Sequence, residues 1–265
     1  SFTKISNKID NFLSLNSINT VQIDINQKNS IEIEKLKEIA LKRGIIAKED
    51  KIWFPGKIQS KNNDIKKIKI RLKGDNIDHL SDPLKTSFRI KLNSNNKLFG
   101  MSKFSIQAPS TRGFWGEIFY SEMMRELGVL APRSNFIKLI YNGNDFGIMN
   151  IEESFSKELI ESQQRKESVI LSFNEDKIWE WWKFLKNPVA NNIFYTNHKN
   201  TFIDVFSSKK IFSKPQLLGD YKKGVSLLRG YVEGKLKPNQ VFDYEITSKF
   251  FAMSHILFSS SITKD

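Results

Sequence analysis

Two short runs constrain the fold of this chain more than any other feature. Over residues 65–73 the side chains alternate strictly, with Ile68, Ile70 and Leu72 on one side and Lys67, Lys69, Arg71 and Lys73 on the other. Residues 87–92 repeat the pattern, setting Phe88, Ile90 and Leu92 against Ser87, Arg89 and Lys91. A period of two is the signature of a strand with one face on a core. Gly74, Asp78 and Pro83 lie in the loop between the runs, 93–96 is a turn, and 103–107 reads as a third strand. The expectation is an antiparallel meander with one oily face and one cationic face.

The flanking segments extend this picture. Residues 20–25 alternate like a strand, and a helix over 30–43 is capped by Ser30, presents Ile33, Leu36 and Ala40 on one face, and stops at Gly44. Short extended pieces follow near Ile45 and over 51–58. A helix over 113–127 carries Phe114, Ile118 and Met124 in its apolar stripe and ends at Gly128. Residues 134–141 and 146–151 then form a hairpin around Asn142-Gly143. From Ser154 the pattern turns helical: a helix over 155–165, a strand over 169–173, a Trp-rich helix over 176–185, a loop over 187–200, and helices over 221–233 and 244–259. The last is apolar through Ile246, Phe250, Met253, Ile256 and Leu257, which predicts burial, and His255 on it reads as a core histidine. The fold class is α+β, in three parts: a polar tether over 1–19, an antiparallel sheet with one main helix over 20–153, and a mostly helical part over 154–265.

Composition narrows the chemistry. With 39% hydrophobic residues and 21 Phe, the chain can bury a sizeable core and disorder is excluded for most of it. No run reaches the ~18 apolar residues of a membrane span, so no transmembrane segment is expected. The chain opens at Ser1 without a leader, so any targeting segment is expected upstream or already removed. The absence of Cys excludes disulfides, thiolate metal sites and Cys nucleophiles. Lys and Arg exceed Asp and Glu by 42 − 29 = 13, and a pI near 9.6 predicts attraction to something anionic, unless the excess only reflects the bias of a chain rich in Lys, Asn and Ile. Nucleic acid, nucleotide phosphates, an acidic protein and an anionic membrane surface all qualify as that anionic partner. There is no strong case for nucleic acid, because Phe88 alternates away from Arg89 and Lys91 instead of forming a stacking platform.

There is no GxxxxGK[ST] loop, no GxGxxG fingerprint and no GxSxG elbow, and His79, His198 and His255 are scattered. What remains is the cationic sheet of Lys69, Arg71, Lys73, Arg89 and Lys91, with Lys85 just ahead of its second strand. It reads either as a solvated outer face or as a platform for phosphates. Glu117 or Glu122 of the following helix could fix one of these cations.

Residues 68–92, IKIRLKGDNIDHLSDPLKTSFRIKL, and 97–154, KLFGMSKFSIQAPSTRGFWGEIFYSEMMRELGVLAPRSNFIKLIYNGNDFGIMNIEES, resemble the CotH family of spore-coat protein H-type kinases. The pieces R-L-K-G, K-x-S-F-R-I-K-L, L-F-G-M, R-E-L-G, A-P-R-S and Y-N-G-x-x-x-G stand in that family's order. The similarity runs from about residue 20 to 176 and is looser beyond.

The resemblance implies an atypical, protein-kinase-like two-lobe fold. It implies an antiparallel N-lobe over 20–153 and a mostly helical, C-terminally incomplete C-lobe over 154–265. It implies ATP, Mg2+ or Mn2+, and phosphoryl transfer to Ser/Thr hydroxyls of a partner protein. It also suggests an extracytoplasmic or cell-envelope location. Arg71, Lys85, Arg89 and Lys91 become candidate phosphate-binding cations. Glu117 is favoured over Glu122 as their helix partner, acting through Lys91 or Arg89, and Glu152 and Glu153 are candidates to face adenine or ribose. The family's catalytic Asp and metal-binding Asn and Asp follow the long apolar helix, here 244–259, so that segment is expected after residue 265. Asp265 is the candidate for its first residue, and the protein's own metal ligands are unknown. The alternative is a non-catalytic CotH-like surface or coat scaffold.

Overall fold

A computed structural model describes residues 18–60, 64–93, 96–174, 176, 179 and 202–262, the side chains of 257–262 excepted. Seven strands carry the architecture: β1 (Asn19–Asp24), β2 (Phe54–Ser60), β3 (Lys66–Leu72), β4 (Phe88–Leu92), β5 (Lys103–Gln107), β6 (Ser134–Tyr141) and β7 (Asn144–Glu153). They form a closed barrel in the order β1-β2-β3-β4-β5-β7-β6. Strands β1 to β5 pair antiparallel in succession, and β7 is antiparallel to both β5 and β6. The seam is the parallel pair β1–β6, which sets Val21 opposite Leu139 and Ile23 opposite Tyr141.

This closure corrects the expected two-lobe, kinase-like fold with an open antiparallel sheet. The meander is present, but its two free edges are consumed, β1 by β6 and β5 by β7. An open sheet would leave two rows of unpaired N–H and C=O groups, and closure satisfies all of them. The alternation that marks each strand now separates an interior from an outer wall. Val21, Ile23, Ile58, Ile68, Ile70, Phe88, Ile90, Phe104, Ile106, Leu139 and Met149 fill the inside. Phe88 stacks on Tyr141 with ring centroids 4.9 Å apart. Burying each such side chain is worth about 1.5–3 kcal/mol, which makes the barrel the stable unit of the described chain.

Helix α1 (Gln27–Arg43) lays Ile33 and Ala40 on this core. Its cap is Asn26, whose side chain accepts from the Asn29 N–H at 2.8 Å, and not the expected Ser30. The Ser30 hydroxyl instead accepts from Asn142 Nδ2 at 3.3 Å, tying the helix to the β6–β7 turn. The expected helix over 113–127 is delayed. A 3-10 turn over Pro109–Arg112 and left-handed Gly113 and Phe114 (φ 59° and 58°) precede α2 (Gly116–Glu126).

Beyond the barrel lie α3 (Lys157–Ser162), the two-stranded pair β8 (Leu171–Phe173) and β9 (Ile203–Val205), α4 (Ser208–Ser213), α5 (Pro215–Val232), α6 (Pro238–Val241) and α7 (Tyr244–Ile262). The tether up to residue 17, almost all of the Trp-rich 176–185 segment and the 187–200 loop lie outside the described residues. Helix α7 corrects another expectation. Ile246 and Met253 pack against Met124, Val129 and Ala131, and Tyr120 and Ser254 share a 2.9 Å hydrogen bond. Yet Phe251 and Ile256 are 64% and 63% exposed and His255 is exposed, so the helix is held along one stripe and is not a buried core element. No helix among the described residues is long and apolar enough to cross a membrane.

Candidate functional site: a cation cluster on the barrel wall

The register of β3, β4, β5 and β7 arranges the outward side chains in rows. One row runs Arg71, Arg89, Ser105, Glu152. The row above it begins at Lys73, whose N–H meets the Ser87 carbonyl at 3.0 Å, and ends with Gln107 opposite Asn150. The row below is Lys69, Lys91, Lys103. Residues two apart on a strand stand ~6.8 Å apart, so the two upper rows make one continuous polar patch on the wall.

Within that patch Lys73 is 4% exposed. Its ammonium donates to Gln107 Oε1 at 2.5 Å, and Gln107 Nε2 in turn donates to Glu152 Oε2 at 2.6 Å. The buried amide thus links cation to carboxylate, whose nearer oxygen stands 3.8 Å from the ammonium. Burial, outweighing the attraction of Glu152, pushes Lys73 down to about 8. Arg89 donates to the Ser154 hydroxyl at 2.8 Å, but its Nε is closed off from solvent and has no hydrogen-bond partner. Arg71 lies over the Trp53 ring at 5.1 Å and is pushed down to about 10 by burial and by Arg89 beside it.

The start of α2 completes the cluster. Arg112 Nε stands 2.8 Å from Glu117 Oε2 and 3.5 Å from Glu152 Oε2. The Arg112–Glu117 contact is an ion pair without a hydrogen bond, because the N–H is not aimed at the oxygen; both atoms are buried and unsatisfied. Burial, with Glu152 close by, raises Glu117 to about 7. His79 lies against Gly74, where an added Cβ would come within 2.0 Å of its ring, and burial beside Lys73 pushes it down to about 3, so it is neutral. Four cations (Arg71, Lys73, Arg89, Arg112) therefore face two carboxylates (Glu117, Glu152) on one wall. Two buried N–H groups there lack acceptors, and buried donors are costly to leave unsatisfied. Such a surplus of fixed donors suits a phosphate.

The candidates named from the sequence divide under this geometry. Arg71, Arg89, Glu117 and Glu152 come together. Lys91 is exposed in the row below, opposite Lys69 and Lys103, and Glu117 pairs with Arg112 and not with Lys91 or Arg89. The Lys85 ammonium is spent on the Ile148 carbonyl at 3.1 Å. Glu153 turns away to the barrel end, where Arg133 grips it at 2.6 Å. Asp265 lies outside the described residues. Sequence reasoning missed Gln107 and Arg112 and left Lys73 among the general cations. Its position at the end of an unbroken alternation, just before Gly74, was the available signal.

No group of three or more His, Asp or Glu able to hold a metal ion exists among the described residues. Glu117 and Glu152 are already engaged with Arg112 and Lys73.

A closed barrel carries a buried cation cluster on its wall, an arrangement suited to an anion. A family model described as CotH kinase protein matches residues 70–214, which is more than half of the chain and spans the cluster. The chain belongs to the CotH kinase family. No curated protein matches it.

Proposed function

We propose that the barrel wall binds the phosphates of ATP, and that the protein serves ATP- and divalent-metal-dependent phosphoryl transfer to Ser/Thr hydroxyls of a partner protein. The observation that carries this reading is the Lys73 cluster: a buried ammonium, two arginine N–H groups without acceptors, and two carboxylates that fix the cations. Phosphoryl transfer asks a protein chiefly for positioning and charge neutralisation, with little covalent chemistry of its own. Lys73, Arg89 and Arg112 would take the phosphate oxygens. Gln107 and Glu152 hold the Lys73 ammonium in place, and Glu117 holds Arg112. Mg2+ or Mn2+ accompanies a triphosphate mainly through phosphate oxygens and water, with one or two carboxylates. The supply of those carboxylates is outside this cluster.

The test is transfer of label from γ-labelled ATP to dephosphorylated casein, with Mg2+ or Mn2+. Label on Ser or Thr of the acceptor supports the reading. ATP binding without label in acceptor or chain removes catalysis from this chain and leaves a nucleotide-binding scaffold.

A further inference from the structure

The lower part of the barrel wall carries charge that the phosphate cluster does not use. Lys57 stands opposite Lys67 across β2 and β3. Lys69 stands opposite Lys91, and Lys91 opposite Lys103, across β3, β4 and β5. The first four are exposed and Lys103 is half-buried. Like charges directly opposite on neighbouring strands destabilise a sheet. None of these five lysines has a carboxylate within salt-bridge distance among the described residues, although Asp24 stands opposite Lys57 across β1 and β2, whereas Lys138, Glu152 and Glu153 on the same barrel are paired. Burial and then Arg89, Arg71 and Lys91 push the Lys103 ammonium down to about 8, which places these groups within one another's field. The Arg71–Arg89 row separates this ladder from Lys73.

We propose that the lysine ladder is a docking surface for an acidic polypeptide segment, one that leads the phosphate acceptor along the wall towards the cluster. The proposal rests on the phosphotransfer reading and adds the class of substrate to it. Two features favour a polypeptide. An extended chain presents every second side chain on one face at ~6.8 Å, the interval that separates Lys67, Lys69 and Arg71 along β3. Bases would find few rings to stack on: Phe88 and Phe104 of the same strands are inside the barrel, and Arg71 already occupies one face of the exposed Trp53 ring.

The test is fluorescence anisotropy at low salt with a labelled 20-residue polyglutamate, and with a single-stranded oligodeoxynucleotide of equal charge. The whole chain is compared with a Lys67→Gln/Lys69→Gln/Lys91→Gln variant. Polyglutamate should bind the chain, weaken with salt, and bind the variant at least ~10-fold less well. The ATP-induced thermal shift should be unchanged in the variant, since these lysines lie outside the cluster. The proposal is overturned if polyglutamate does not bind, if the variant binds it equally, or if the oligonucleotide binds the ladder more tightly. Loss of the ATP shift in a folded variant would also overturn it, by merging the ladder with the phosphate site. A chain that binds polyglutamate through the ladder but shows no ATP shift keeps the docking surface and loses the phosphotransfer reading.

Discussion

The Lys73 ammonium sits where water barely reaches, between Gln107 and Glu152, and its folded value near 8 lies below the ordinary 10.5. Between about pH 8 and 10.5 the unfolded chain therefore binds more protons at this group, so its contribution to stability improves as pH rises through that window. Phosphate binding at the proposed site would have the opposite dependence, because it would need the ammonium. ATP affinity should fall as pH rises above about 8, and in Lys73→Arg the fall should move to higher pH, as a calorimetric titration series from pH 6.5 to 9.5 would record. An identical profile in the variant would remove Lys73 from phosphate contact. Glu117 has the reverse sign. Its value is raised to about 7, so its contribution is fully present below about 4.5 and is lost as pH climbs through 7. Glu117→Gln mimics the protonated form, and should raise Tm by several degrees at pH 8, about 1–3 kcal/mol, with little change at pH 4.5. Alternation marks Arg71 and Arg89 and the following helix offers Glu117, whereas Glu152 follows only from the family resemblance, as a candidate for adenine or ribose and not for the Lys73 network that holds it. Gln107 could not be named from the chain, since a glutamine gains its role only from the Lys73 and Glu152 that the register places on either side of it.

At the scale of elements, the short motifs acquire physical reasons. In R-L-K-G, Lys73 enters the cluster and Gly74 turns the chain at φ 94° against His79. Gly74→Ala meets both a left-handed backbone and a ring 2.0 Å away, and should cost roughly 2–4 kcal/mol, read as a lower urea midpoint. A cost below ~0.5 kcal/mol would show that the loop relaxes freely and does not hold the ring. In A-P-R-S, Arg133 grips Glu153 and donates to the Gly100 carbonyl of L-F-G-M at 3.1 Å, so two separate motifs are one contact. The Asn142-Gly143 turn, with φ of 47° and 79°, is the two-residue hairpin its dipeptide announces. Helix boundaries were less legible. Asn26, not Ser30, caps α1: both offer a capable oxygen, and in the fold that of Ser30 accepts from Asn142 instead. The apolar run of α7 predicted burial, but composition cannot say how much of a helix finds a neighbour.

At the scale of the whole molecule, the barrel was half legible. Each strand from β3 to β7 announces itself by period and turn. The parallel β1–β6 seam joins segments more than a hundred residues apart, and no local signal distinguishes a strand at an open edge from one that closes a circle. That seam matters to the proposed phosphate site, because a closed wall holds Lys73, Arg89 and Glu152 on one surface. The most direct test of that surface is the thermal midpoint of the chain against ATP concentration, with and without Mg2+, compared with Lys73→Met. A ligand of the folded state raises the midpoint in proportion to RT ln(1 + [L]/Kd). The cluster predicts a concentration-dependent rise in the wild type and an affinity at least ~10-fold weaker in Lys73→Met, the loss expected for a charge-assisted bond. An equal rise in the variant, or no rise at millimolar ATP in the wild type, would contradict a phosphate site on the barrel wall.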